Sequence, residues 1–502
     1  MALLIKNAHV LTLDAADREH ARADILVRGR TIAAIGPDLA PPSGEDLRVI
    51  DAAGQLAMPG LVNAHFHSPG NFMRGMLDGL PLEIFMLYEV PPLTRGAPVK
   101  RLNYVRTMIG AMEMLKLGIT TVMDDAFHIP VASAEGVDGI AEAYRDCGIR
   151  ARLAIDQPNI VEYEKYPFLK EILPEDLRRD MEAAPLQSDA ELLALYDHLI
   201  ARWDGAADGR LGAALSCSAA QRVTVPYIEA LSALSARRDL PFNVHILETK
   251  LQRVLGAEKF GKSLVRYVHD LGLLDERMVV IHAIWIDGED IALLARSGAT
   301  VAHNPICNLR LGSGIMPFRA LRDAGVPICL GTDEATVDDS VNLWAVMKTA
   351  GLVHTLADVD YRTWPAAPEI LRTMAAGGAR ALRWPDRIGA LAAGREADII
   401  LVDLDTLAFT PLNDLRRQLV YCENGSSVRM TIVAGRVVCE NGRLTMVDEA
   451  ALKREARELM AQYRQDMRGF DAAARRLEVH YREMYRRAHA RDMGLRRRLD
   501  GP

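Results

Sequence analysis

Four stretches, far apart in the chain, carry side chains that bind metals or move protons. They hold the pair His65-Phe66-His67, then His245 with Glu248 three residues later, then His282, and finally Asp333. Each follows a short apolar run: Leu61-Val62-Asn63-Ala64, Pro241-Phe242-Asn243-Val244, Val279-Val280-Ile281 and Ile328-Cys329-Leu330-Gly331-Thr332. Side chains alternate faces along a strand, so His65 and His67 point the same way. One His-x-His pair is weak evidence for a metal, because two polar residues at a strand end explain it as well. Four apolar runs that each deliver a His or an Asp at the same end are not explained so easily. Three imidazoles and a carboxylate suit Zn2+, and Fe2+ fits a similar nitrogen and oxygen set. The expected ligands are His65, His67, His245 and Asp333, with one position left for water. A divalent ion there lowers the pKa of that water toward neutrality and makes hydroxide available. His282 then orients or polarises the attacked centre. If a helix begins directly after the strand at His245, one turn brings Glu248 back over the site, where its carboxyl group can carry a proton. On spacing alone, a surface glutamate fits Glu248 equally well.

Such residues need a scaffold that gathers strand ends. Eight apolar runs, at 61–67, 119–124, 151–155, 211–216, 242–245, 278–282, 300–303 and 327–333, alternate with helix-period segments such as 104–117 and 287–297. That is the α/β pattern of a (β/α)8 TIM barrel, whose functional residues sit at the C-terminal strand ends. The long interval 159–207 adds helices over the barrel mouth. Short β-prone pieces at 2–5, 9–13, 24–28 and 31–35 precede the barrel, with turns at Arg28-Gly29-Arg30 and Asp51-Ala52-Ala53-Gly54. β texture returns after Trp384-Pro385, in Ile399-Ile400-Leu401-Val402 and in a hairpin about Gly435-Arg436. A small β-sandwich domain formed by both chain ends follows. The expected order is sandwich (1–57), barrel (58–384), sandwich (385–446) and a C-terminal helical extension (447–502).

Composition narrows the partners. Of the 502 residues 49% are hydrophobic and 25% charged, which is a globular balance. The net charge of −7 gives no reason to expect nucleic acid. Charge is uneven: from Ala451 to Pro502 there are 14 Lys/Arg against 8 Asp/Glu, so the Arg-rich tail is amphipathic and basic. Such a tail reads as a solvated face or a subunit contact, in keeping with a homodimer or higher homo-oligomer. Six scattered cysteines include no Cys-x-x-Cys pair, which argues against a disulfide framework or a cysteine zinc site. Lys6 interrupts the first apolar run too early for a secretory signal, and no run is long enough to span a bilayer. The expected compartment is the cytoplasm, and the expected partner is a small-molecule substrate, without membrane or nucleic acid.

The chain resembles the amidohydrolase superfamily, in the branch of aminohydrolases and chlorohydrolases that act on triazines, purines and pyrimidines. The resemblance spans about residues 1–445. It is carried by Pro59-Gly60-Leu61-Val62-Asn63-Ala64-His65-Phe66-His67, His245-Ile246-Leu247-Glu248, His282, His303-Asn304-Pro305-Ile306-Cys307-Asn308, Leu330-Gly331-Thr332-Asp333 and Gly394-Arg395-Glu396-Ala397-Asp398. It implies a barrel with a small β-sandwich, one divalent ion and hydrolytic displacement at an sp2 carbon. It also implies Glu248 and Asp333 as proton carriers, His282 as the group that stabilises the electrophile, and substrate contacts at Glu83, Phe85, His303 and Asn304. Phe85 stands where relatives often have tryptophan, and Cys307 where they often have serine. Cys307 reads as a packed loop residue rather than a nucleophile. Leu215-Ser216-Cys217-Ser218-Ala219-Ala220-Gln221 lacks the lysine that bridges two metals in many relatives, so one ion is expected. The leading expectation is a deaminase: water displaces ammonia or an amine from an N-heterocyclic or guanidine-like carbon, and Glu248 protonates the leaving group. The alternatives are dechlorination of a heterocycle and cleavage of a urea or amide C–N bond. A barrel retained only as a binding module would have lost ligand types, and none is missing.

Overall fold

The computed structural model describes residues 2–42, 46–92 and 100–498. Met1 and the last four residues of the helical tail lie outside the described residues. Five N-terminal strands come first: β1 (Ala2–Leu11), β2 (Glu19–Arg28), β3 (Thr31–Gly36), β4 (Leu47–Asp51) and β5 (Gln55–Pro59). The pieces expected at 2–5 and 9–13 are one strand, with irregular register between Ile5 and Ala8. β4 was not legible, because it is short, and with only Ile50 buried it shows no clean alternation.

Next come β6 (Leu61–Phe66), β7 (Ile119–Phe127), β8 (Arg150–Asp156) and β9 (Leu211–Ala213), which form one parallel sheet. A second parallel sheet holds β10 (Leu215–Ala219), β11 (Phe242–Ile246), β12 (Met278–His282), β13 (Thr300–His303) and β14 (Ile328–Leu330). These strands are almost wholly buried, which is why they read as unbroken apolar runs. The run expected at 211–216 is divided at Ala214, whose N–H donates to Leu153 O at 2.8 Å. The run at 327–333 forms a strand only over Ile328–Leu330. At the other sheet edge, Asp333 N–H donates to His65 O (3.1 Å) and His67 N–H to Asp333 O (3.4 Å), so β6 and the end of β14 are hydrogen-bonded. The architecture is TIM-barrel-like α/β.

β15 (Ile399–Asp403), β16 (Val428–Val433), β17 (Arg436–Glu440) and β18 (Arg443–Leu444) return to the first strands. β15 pairs antiparallel with β5, placing Ile399 opposite Pro59, so both chain ends share one nine-stranded sheet. Leu3, Ile5, Val27, Ile399 and Ile432 form its own apolar cluster. Buried Arg150 on β8 joins that sheet to the barrel strands through Asp398 (2.7 Å) and Glu396 (3.0 Å).

The tail is a single helix, Glu449–His489, capped by the Asp448 side chain. Ala474, Leu477, Tyr481, Met484 and Ala488 recur every three or four residues, so they form one stripe. This stripe is buried against Ile84, Leu87, Leu169 and Leu251 of the same chain. The tail is therefore not a wholly solvated face. It packs over the short helix Leu82–Glu89 and the segment that follows β8. Among the described residues no helix is long and apolar enough to cross a membrane.

Candidate active site

The strand ends converge as the sequence requires. The ligand-type atoms of His65, His67 and His245 lie within 4.8 Å of one another, and so do those of His65, His282 and Asp333. His65 Nε2 is 3.8 Å and His67 Nε2 3.5 Å from Asp333 Oδ1. Two donors on one tetrahedral ion, each ~2.1 Å from it, stand roughly 3.4 Å apart, so these spacings fit a shared ion. Both nitrogens of the fully buried His65 ring have no hydrogen-bond partner. A buried imidazole without partners is costly unless something accepts its lone pair. His67 Nδ1 is hydrogen-bonded to Asp125 O, and His245 Nδ1 to Ser218 O at 2.7 Å. With Nδ1–H donating outward, each ring turns its Nε2 to the centre. The residues present fit a divalent ion.

Local backbone geometry aims these groups. Ser218, Leu247, His282, Ala283 and Asp333 all have positive φ, between 46° and 73°, at the C-terminal ends of their strands. That conformation costs of order 1 kcal/mol or more for a residue with a Cβ, and such strain gathers at functional sites. Here it ends the pleat beside the cavity lined by Ser218, Glu248, His282, Asp333 and Glu334. Ile284 and Trp285 hold the turn by donating to Leu247 O at 3.0 and 2.8 Å. Gly331 has a different reason: a Cβ there would stand 2.7 Å from His65 Cβ and 2.5 Å from Asn304 Oδ1.

Glu248 reaches the site by another route than the expected helical turn. The helix starts only at Lys250, with Thr249 as its cap, and Glu248 lies in the bend before it. Its N–H donates to Gln252 Oε1 at 2.9 Å. The carboxyl Oε2 is 3.5 Å from His282 Nε2, and that nitrogen is 3.6 Å from Asp333 Oδ2. Asn308 Oδ1, 2.9 Å from His282 Nδ1, fixes the ring. Asn308 had no assigned role in the sequence, although it closes the His303–Asn308 motif.

Electrostatics divide the groups by task. Burial, then the charges of His67, His245 and His282, hold His65 well below its ordinary pKa, so the ring is kept neutral. Burial first, and then His67 and His282, depress His245 in the same direction. His67 goes the other way, up to about 9: burial opposes its charge, but the carboxylates of Asp333, Asp125 and Asp156 outweigh burial. Burial and the nearby Asp333 and Glu83 push Glu248 well above the usual carboxylate range. His282 is lowered, chiefly by burial.

The remaining expected residues are placed unequally. Glu83, on the helix Leu82–Glu89, accepts a hydrogen bond from Thr249 Oγ1 and so neighbours Glu248. Asn304 Nδ2 is 3.5 Å from Asp333 Oδ2. Phe85 packs against Cys307, Leu311 and Val337. His303 meets His354, with 2.9 Å between the Nε2 atoms. The cavity over the cluster is lined by His245, Glu248, His282, Asp333, Arg222 and Phe127 among others, but by none of Glu83, Phe85, His303 and Asn304. Cys307 does face it, from the helix Pro305–Arg310 rather than from a loop, and burial holds its thiol well above the ordinary range. Arg222 follows directly on Leu215–Gln221, and an arginine after an apolar run carries no spacing signal that marks it as a site residue.

The model of the amidohydrolase family matches residues 56–438. The 5-methylthioadenosine/S-adenosylhomocysteine deaminase of Thermococcus kodakarensis is 32% identical over 446 residues, covering 87% of this chain and 94% of that protein. A zinc-bound adenosine deaminase from Xanthomonas campestris superposes with a TM-score of 0.79 at 27% identity, over 93% of this chain and 98% of its own. An atrazine chlorohydrolase from Arthrobacter aurescens TC1, complexed with zinc, gives 0.80 at 26% identity over 91% and 100%. The chain belongs to the amidohydrolase family, and it is a metal-dependent hydrolase of carbon–nitrogen bonds.

Proposed function

We propose that this chain is a mononuclear, zinc-type deaminase of an amine-bearing N-heterocycle. In this reading the two parallel sheets form a closed (β/α)8 barrel over 58–384, and the sheet built by both chain ends is its β-sandwich. The observation that carries the proposal is the buried, partnerless His65 ring, set among His67, His245 and Asp333 at ligand spacing. A divalent ion held by these four residues supplies Lewis acidity and brings the pKa of water toward neutrality.

The chain's own residues then move protons. Asp333 Oδ2 faces His282 Nε2 and takes the proton of the attacking water. Glu248, kept protonated by burial and neighbouring carboxylates, delivers its proton to the ring nitrogen; the water proton held by Asp333 then passes by way of Glu248 to the departing amine, and the hydroxyl proton returns to Glu248 as the carbonyl forms. His282, oriented by Asn308, polarises the carbon under attack from its place between the two carboxyl groups. Water and the amine become a carbonyl and ammonia, so the protons balance. A protonated Glu248 favours deamination over dechlorination, since an amine must be protonated to leave and chloride need not be. The test is release of ammonia, amine or chloride by the metal-loaded protein from aminopurines, adenosine derivatives and chlorotriazines. Ammonia is expected; chloride alone would refute the reading.

A further inference from the structure

Arg222 is a buried guanidinium that its own fold leaves unsatisfied. It ends the short turn Ala220–Arg222 after β10, is 7% exposed, and lines the same cavity as His245, Glu248, His282 and Asp333. A guanidinium has five N–H donors. Nη1 reaches Ser218 Oγ at 3.4 Å, Nη2 reaches Met86 Sδ at 3.2 Å, and Nε has no partner. Neither contact is a strong one, and among the described residues Arg222 has no ion pair. Arg150 shows what a structural arginine looks like here: also buried, it is held by Asp398 and Glu396. A buried charge with unmet donors is costly unless a partner arrives.

We propose that Arg222 binds an oxo or enolate oxygen on the substrate ring itself, at an atom other than the one that loses the amine. The substrate class is thereby an amino-oxo N-heterocycle; this rests on the deaminase reading. The acceptor belongs to the ring because Arg222 lines one cavity with His245, His282, Glu248 and Asp333, the groups set to surround the reacting carbon. Carboxyl groups of Glu89, Asp156 and Glu334 also line the cavity and suit the N–H donors that accompany a ring carbonyl.

The test uses the metal-loaded full chain and matched ligands with no amine to lose: hypoxanthine against purine, and 4-pyrimidinone against pyrimidine, by equilibrium binding. The wild type is expected to favour the oxo member by about 10- to 100-fold, the range of one charge-assisted hydrogen bond. Arg222→Met brings that ratio near unity, with metal content unchanged. Arg222→Lys, which keeps the charge but loses the fork, reduces the ratio in part and serves if the methionine variant does not fold. An equal loss for both members of a pair, or no oxo preference in the wild type, overturns the proposal. So does a variant that loses only its preference for S-adenosylhomocysteine over 5-methylthioadenosine, since the acceptor would then be a substituent carboxylate. Oxo preference without ammonia release from any amine overturns the deaminase reading and leaves the role of Arg222 standing; ammonia release without oxo preference does the reverse.

Discussion

Metal binding should expel a proton, and His67 is its source. In the metal-free protein the carboxylates of Asp333, Asp125 and Asp156 raise the imidazole to about 9 against the penalty of burial. Its Nδ1 is committed to Asp125 O, so the titrating proton is on Nε2, the atom a metal needs. The sign follows: a raised pKa means that the proton is bound at pH 7 and absent above pH 9 or so. Between pH 6 and 8, apparent zinc affinity should rise about tenfold per pH unit, flattening near 9. At pH 7 the competition costs roughly two pH units, ~2.7 kcal/mol. Calorimetric titration of metal-free protein at pH 7, in buffers of different ionisation enthalpy, should show about one proton released per zinc. Asp156, whose Oδ2 is 4.0 Å from His67 Nδ1, contributes to the shift, so Asp156→Asn should move the flattening to lower pH. No proton released at pH 7, or an affinity flat from pH 6 to 8, would refute the electrostatic argument.

Other perturbations separate the remaining roles. Glu248→Gln keeps the carboxamide shape but cannot cycle a proton; kcat should fall about 10²- to 10⁴-fold while metal content by mass spectrometry stays constant. Asn308→Ala frees the His282 ring, and kcat should drop roughly 10- to 100-fold with little change in KM. Tyr481→Ala empties a buried aromatic position between the tail and the Leu82–Glu89 helix. It should cost about 3 kcal/mol, read as a lower denaturation midpoint, and should raise KM through Glu83 on that helix.

The proposed ligand set was legible as a cluster because each member follows an apolar run, and a parallel strand buried on both faces leaves a strong one-dimensional trace. His65, His67, His245 and Asp333 needed no knowledge of loops. Glu248 was legible as a residue but not in its placement. The sequence suggests a helix immediately after His245, whereas Leu247 with its φ of 54° and the Thr249 cap delay it to Lys250. Nothing in a leucine announces a left-handed conformation; it is imposed by Ile284 and Trp285, which bond to Leu247 O from another strand end. Asn308 and the carbonyls of Asp125 and Ser218 were hidden for a related reason. Their work is done by atoms that every residue has or by an amide whose target lies on a different strand.

The tail shows the opposite case, in which a pattern is visible and its partner is not. Ala474, Leu477, Tyr481, Met484 and Ala488 make an apolar stripe that any helix-period reading finds, yet charge count alone favours water or another subunit. What decides the matter is the receiving surface. Ile84, Leu87, Leu169 and Leu251 come from three separate segments, none of which is amphipathic enough alone to advertise a docking face. Tyr88 Oη donates to Glu478, and Lys250 Nζ donates to His489 O at 2.8 Å, so polar contacts set the register that the apolar stripe leaves free. Both anchors lie beside the active site: Tyr88 is on the helix that carries Glu83, and Lys250 begins the helix that follows Glu248. The tail thus ties together two elements that carry carboxyl groups at the barrel mouth. This coupling gives the helix Glu449–His489 a route to the proposed substrate site through the elements that carry Glu83 and Glu248.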